Sequence, residues 1–183
     1  MAEIDTDHKT ARRSVLGFTL IELLITIAIG SILLALAVPS FNSLIVSSRL
    51  TTQANDFVAA VNFARSEAIK RNSSVSLCRT GAVGGTTCAA AAGAWRFWIV
   101  RNAAGAVVRR GTVNTYADKI VVSSTLTNDL AVFGSDGLVR TGGAMVDDHQ
   151  ISVCATNLAQ TNVRRLVLGM ASRISMELDT VAC

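Results

Sequence analysis

Few side chains in this sequence have the type and spacing to do chemistry. Outside the first seventeen residues the only histidine is His149, which follows two aspartates as Asp147-Asp-His149. The triplet offers donors for a metal or an acid–base pair, but three polar residues after Gly142-Gly143 are the composition of a solvated turn. Gly81-Ala-Val-Gly-Gly85 lacks the lysine and following helix of a phosphate cradle, so it reads as a loop. No His-Glu-x-x-His, Gly-x-Ser-x-Gly or Gly-x-x-x-x-Gly-Lys pattern occurs. These residues imply no catalytic group, no cofactor and no metal. Cys78, Cys88, Cys154 and Cys183 contain no Cys-x-x-Cys, which points away from zinc and toward two disulfides in an oxidising compartment. Three pairings are open. Cys78 with Cys88 and Cys154 with Cys183 closes the shortest loops at the lowest entropic cost, and is the preferred one. The remaining reactive group is Glu22, a single carboxylate inside a long apolar run.

That run, Phe18 to Val38, accounts for the unusual composition: 50% of the 183 residues are hydrophobic and 16% charged, against about 25% charged in an ordinary soluble domain. About 20 such residues in a helix span a bilayer. Lys9, Arg12 and Arg13 lie just before it and Glu3, Asp5 and Asp7 further away, so the positive-inside rule keeps this end cytoplasmic and exports the rest. A carboxylate in a spanning helix costs up to about 2.5–3.5 kcal/mol and generally has a function. A secretory signal peptide is the rival reading, with Leu20 to Leu34 as its apolar core and Ala35-Leu-Ala37 as its cleavage site.

Beyond the run, Leu44, Leu50, Ala54, Phe57, Val58, Val61, Ala64 and Ala68 mark an amphipathic continuation. The spacing predicts one helix from Phe18 to Arg71, about 80 Å long at 1.5 Å per residue, with a kink at Pro39. After it come short β-rich runs: Val75 to Cys78, Trp95 to Arg101, Val107 to Thr112, Ile120 to Ser124, Leu130 to Phe133, Ile151 to Ala155, Val163 to Leu168 and Ile174 to Leu178. Asn102-Ala-Ala-Gly105 reads as a hairpin turn, and 81–93 as a surface loop held by a disulfide. The expected fold is α+β, one long helix packed across an antiparallel sheet.

The junction Gly17-Phe-Thr-Leu-Ile-Glu-Leu-Leu24 resembles the processing site of type IV prepilins and of type II secretion pseudopilins. The resemblance implies a prepilin peptidase that cuts between Gly17 and Phe18 and methylates the new amine. It divides the chain into a leader (1–17), a transmembrane and filament-core helix (18–38) and an extracytoplasmic pilin domain (39–183). It also assigns Glu22 to axial register, pairing with the Phe18 amine of a neighbouring subunit, while Pro39 matches a proline many of these proteins carry. Val132-Phe-Gly-Ser-Asp-Gly137 with Arg140, the cysteine-bearing run Ile151 to Cys154 and Val163-Arg-Arg-Leu-Val-Leu168 resemble the GspH/FimT group of minor pilins and pseudopilins. Such a subunit initiates or caps a type IV pilus or a type II secretion pseudopilus. Its implied partners are other minor pilins or pseudopilins, the major subunit, the inner-membrane assembly platform and membrane lipid.

Removing 1–17 leaves 14 basic and 10 acidic residues, and twelve of the cations are arginine. Arg109-Arg110, Arg140, Arg164-Arg165 and Arg173 fall in or near predicted strands and turns. Gathered on one face they would bind phosphates, so the alternative function is a DNA-binding minor pilin acting as a receptor in DNA uptake, with double-stranded DNA as partner and Arg164, Arg165 and Arg173 as its contacts. Some members of the resembled group bind DNA through a late Gly-Arg-x-Arg turn; the matching stretch here, Gly169-Met-Ala-Ser-Arg173, keeps one arginine.

Overall fold

The computed structural model describes residues 17–156, 158, 161–169, 173–181 and 183, without the helical side chains at 36 and 38–40. The leader up to residue 16 lies outside the described residues. Helix α1 is Leu20–Arg71, and the chain divides into two compact units, Met1–Ser40 and Phe41–Cys183. Pro39, where a kink was expected, falls at this division and its side chain is not among those described.

Within the second unit, α1 buries Val46, Leu50, Gln53, Ala54, Phe57, Ala60, Val61, Ala64 and Ala68. Steps of three and four residues place these on one face. Leu44, expected in this stripe, is exposed instead. At about 100° per residue it stands about 200° round the helix from Val46, on the far side. The helix ends in a Schellman motif: Asn72 takes φ 47°, its amide bonds Ile69 O at 3.1 Å, and the Ser73 amide reaches Ala68 O at 3.2 Å. Lys70 and Arg71 in the last turn both pair with Glu67, at 3.9 and 2.5 Å.

Among the described residues ten strands follow: β1 (Val75–Thr80), β2 (Phe97–Asn102), β3 (Val107–Thr112), β4 (Ile120–Ser124), β5 (Leu130–Phe133), β6 (Val139–Thr141), β7 (Ala144–Met145), β8 (His149–Ala155), β9 (Val163–Leu168) and β10 (Ile174–Asp179). All pairings are antiparallel, but they form two sheets rather than the one expected: β3-β2-β1-β5-β6-β7 and β10-β9-β8-β4. The chain changes sheet after β4, through a turn at Thr127–Asp129 where Asn128 and Asp129 both have positive φ. Strands β6 and β7 were not anticipated. They are too short for an alternation to register, and are joined by Gly142 and Gly143, whose φ values of 57° and 85° suit a two-residue hairpin.

The core gathers around Phe57, whose ring meets Trp95 edge-on at 5.5 Å and Trp98 at 6.1 Å. Trp98 lies against Gly111 across the β2–β3 pair, and a Cβ there would come within 2.2 Å of the indole, so the position needs glycine. Disulfides join Cys78 to Cys88 and Cys154 to Cys183. The first ties Cys88, within loop 81–93, to Cys78 of β1. That loop is also held by Asp129, a carboxylate only 1% exposed: Oδ2 accepts from Arg79 Nε at 2.9 Å and the Gly93 amide at 2.7 Å, and Oδ1 from Ser124 Oγ at 2.6 Å. Arg79 donates as well to the carbonyl of Ala91. One side chain thus ties β1 of the first sheet, β4 of the second and the end of the disulfide loop.

Candidate processing and assembly site

Gly17, Phe18 and Thr19 are non-helical and exposed, and among the described residues nothing lies within 4 Å of where a Gly17 Cβ would stand. Helix α1 starts two residues beyond Phe18 because Thr19 caps it, its Oγ1 accepting from the Glu22 amide at 3.3 Å. Thr19-x-x-Glu22 has the spacing of a capping box, a local signal for the helix start that the sequence carries. The cap places Glu22 in the first turn, where the helix dipole favours a negative charge.

Apolar side chains surround this part of the helix on all sides: Leu20, Ile21, Leu24, Ile27, Leu33 and Leu34 are each more than half exposed. A helix apolar all round requires lipid or other helices as its surroundings. Its two hydroxyls are satisfied internally, Thr26 Oγ1 donating to Leu23 O and Ser31 Oγ to Ala28 O, both at 2.8 Å. The Glu22 carboxylate has no partner among the described residues. Among those residues, with the side chains at 36 and 38–40 left out, no helix is long and apolar enough to cross a membrane.

The arginines proposed for DNA do not gather. Adjacent strand residues point to opposite faces, and Arg164 turns inward: it is 8% exposed and bonds Thr161 O at 2.5 Å, Thr51 Oγ1 at 3.4 Å and Ser47 Oγ at 3.4 Å. Arg165, on the other face, pairs with Asp179 at 2.7 Å. Arg173 lines a cleft with Asp147, Asp148 and Glu177, acidic company that offsets its charge. Arg140 pairs with Asp136 at 2.7 Å, and Arg109 lies over Phe63 and donates to Ala59 O at 3.2 Å. Asp147 and Asp148 are exposed in a turn, while His149 Nδ1 is 2.9 Å from Thr125 O. Among the described residues no group of three or more His, Cys, Asp or Glu could hold a metal.

Several of these pairs make the domain acid-sensitive. The Arg140 hydrogen bond, followed by that from the Leu138 amide, holds Asp136 down to about 2. The Thr180 amide and then Arg165 lower Asp179, and the Arg71 hydrogen bond lowers Glu67. Unfolded carboxylates titrate near pH 4, so the stabilisation is complete above about 4 and drains as pH falls, through about 2 for Asp136. The thermal midpoint is expected to drop below pH about 4, and Asp136→Asn to lose less over that interval. An equal drop in wild type and variant would remove Asp136 from the account.

Residues 53–171 match the family model described as type II transport protein GspH. The chain belongs to the GspH family. Residues 12–38 match the prokaryotic N-terminal methylation motif, so the exposed Gly17–Phe18 bond and Glu22 lie inside a recognised element of this GspH-family chain. The fold is shared with the type IV minor pilin FimU of Pseudomonas aeruginosa PAO1. In one crystal form that protein is 17% identical, with 69% of this chain and 91% of that one covered and a TM-score of 0.50. In a second form the identity is again 17%, the coverage 70% and 87% and the TM-score 0.52. The minor pseudopilin EpsH of the Vibrio cholerae type 2 secretion system is 11% identical over 71% of this chain and 97% of that one, with a TM-score of 0.49. None of the curated protein sequences matches the chain.

Proposed function

We propose that this GspH-family chain is a minor pilin or pseudopilin, a structural subunit that initiates or caps a type IV pilus or a type II secretion pseudopilus and catalyses no reaction. The observation that carries the reading is the methylation motif on a helix that is apolar on every side, begins at a threonine cap and leaves the Gly17–Phe18 bond exposed before it. A prepilin peptidase cuts that bond and methylates Phe18. The run from Phe18 to Val38 holds the precursor in the inner membrane, with residues 1–17 cytoplasmic and the domain from 39 onward in the periplasm, until the assembly platform moves it into the filament. There it packs against other minor pilins or pseudopilins and the major subunit. The disulfides Cys78–Cys88 and Cys154–Cys183 suit an oxidising periplasm.

Mass spectrometry of the chain recovered from its native membrane or filament fraction tests this. The expected N-terminus is N-methylated Phe18. A chain starting at Val38 would establish the signal-peptide rival, and one still carrying the leader would show that the motif is not used.

A further inference from the structure

The second unit carries two cations on one aromatic ring. The Arg49 guanidinium carbon, on α1, is 4.2 Å from the Tyr116 ring centroid, and Lys119 Nζ is 5.5 Å from the same centroid. Neither side chain has an acidic partner among the described residues, where every ion pair belongs to other cations. The neighbouring acid, Asp118, is 3.5 Å from Arg96.

The ring is held in place by the backbone. Tyr116, Ala117 and Asp118 have φ values of 42°, 54° and 60°, three successive non-glycine residues in the left-handed region. This turn is tethered to α1 through a chain of bonds: the Tyr116 amide donates to Asn114 Oδ1 at 3.1 Å, and the Asn114 amide to buried Gln53 Oε1 at 2.9 Å. Two positive charges fixed beside one ring repel each other, and an anion between or over them removes that repulsion.

The position along the chain says which anion. Arg49 follows Val38, the last residue of the apolar run, by eleven positions, at most about 16 Å at 1.5 Å per helical residue, whatever the angle between the two units. The interfacial layer extends about 5–8 Å beyond the hydrocarbon, and the Debye length is about 8 Å. Long basic side chains and a tyrosine at this height suit the headgroup zone. We infer that Arg49, Tyr116 and Lys119 form a headgroup site for anionic phospholipid, seating the domain on the membrane before the subunit leaves it. The inference rests on the membrane-anchored reading above.

The test is hydrogen exchange of the full chain in nanodiscs of phosphatidylcholine alone and of an equal mixture with phosphatidylglycerol. Exchange at the amides of Ala117 and Asp118 is expected to slow in the mixed discs, by up to about 30-fold for two cations at roughly 1 kcal/mol each. The double variant Arg49→Gln, Lys119→Gln should exchange at one rate in both discs, with core amides unchanged. Equal exchange of wild type in the two discs, or slowing that persists in the double variant, overturns the headgroup site and leaves the anchor standing. A chain that fails to co-elute with discs of either composition overturns both.

Discussion

Asp129→Ala is expected to lower the stability of the domain by about 3–5 kcal/mol, the cost of breaking a buried ion pair by removing one partner. That is a large share of the 5–15 kcal/mol typical of a domain. The reason is what remains. Arg79, with its side chain 15% exposed, keeps its charge without a counterion, and Ser124 Oγ and the Gly93 amide lose their acceptor. Asp129→Asn keeps the shape and one acceptor oxygen for Arg79 and Gly93, and turns its NH2 to Ser124 Oγ, which can accept, so the main loss is the charge. It should cost roughly half as much, as hydrogen bonds to charged groups contribute about 1.5–3 kcal/mol. Urea unfolding of the detergent-solubilised chain, followed by far-UV circular dichroism, reads both as shifts in midpoint at constant slope. The Cys78–Cys88 bond persists in the variants, so loop 81–93 stays tethered while its inner side loosens. Asp129→Ala within about 1 kcal/mol of wild type would mean that water replaces the carboxylate at no cost, and that the two sheets are joined by apolar packing alone.

What the sequence disclosed follows from the range of each interaction. The helical stripe from Leu50 to Ala68 and most strand positions depend on periodicities of a few residues, and they were legible. The division into two sheets was not. It depends on β5 returning to β1, a pairing of residues more than fifty positions apart that leaves no local trace. Asp129 was missed for the same reason: in Thr127-Asn-Asp129 it looks like a solvated turn residue, and its partner Arg79 is fifty positions away. Arg164 illustrates a signal that was present but misjudged. Two arginines side by side in a strand cannot share a face, so placing both on one phosphate-binding surface conflicted with the strand assignment itself. The N-terminal methylation motif was legible, whereas the helix start was not. Thr19-x-x-Glu22 moved it from Phe18 to Leu20 and left the Gly17–Phe18 bond outside the helix.

Glu22→Ala should leave membrane insertion intact and abolish incorporation into the filament. On insertion scales a central carboxylate is unfavourable by about 2.5–3.5 kcal/mol, so its removal eases insertion. In the assembled state the same carboxylate needs a cation, because Thr26 and Ser31 spend their hydroxyls on their own helix and offer it nothing. We propose that the methylated amine of Phe18 on a neighbouring subunit supplies that cation. Removing the acid strands the amine among apolar helices, and a loss of about 3–5 kcal/mol corresponds to a fall of at least a hundredfold in incorporation. Capping offers a competing explanation, since Glu22 occupies the third helical position after Thr19 and its loss could simply fray the helix start. Glu22→Gln separates the two. Glutamine serves a capping box as well as glutamate does, but carries no charge to pair with the amine. Both variants are expected to be processed and membrane-bound, and neither to be recovered in sheared filaments. If Glu22→Gln assembles at the wild-type level while Glu22→Ala does not, the residue acts on its own helix, and subunit register must come from the apolar surface around it.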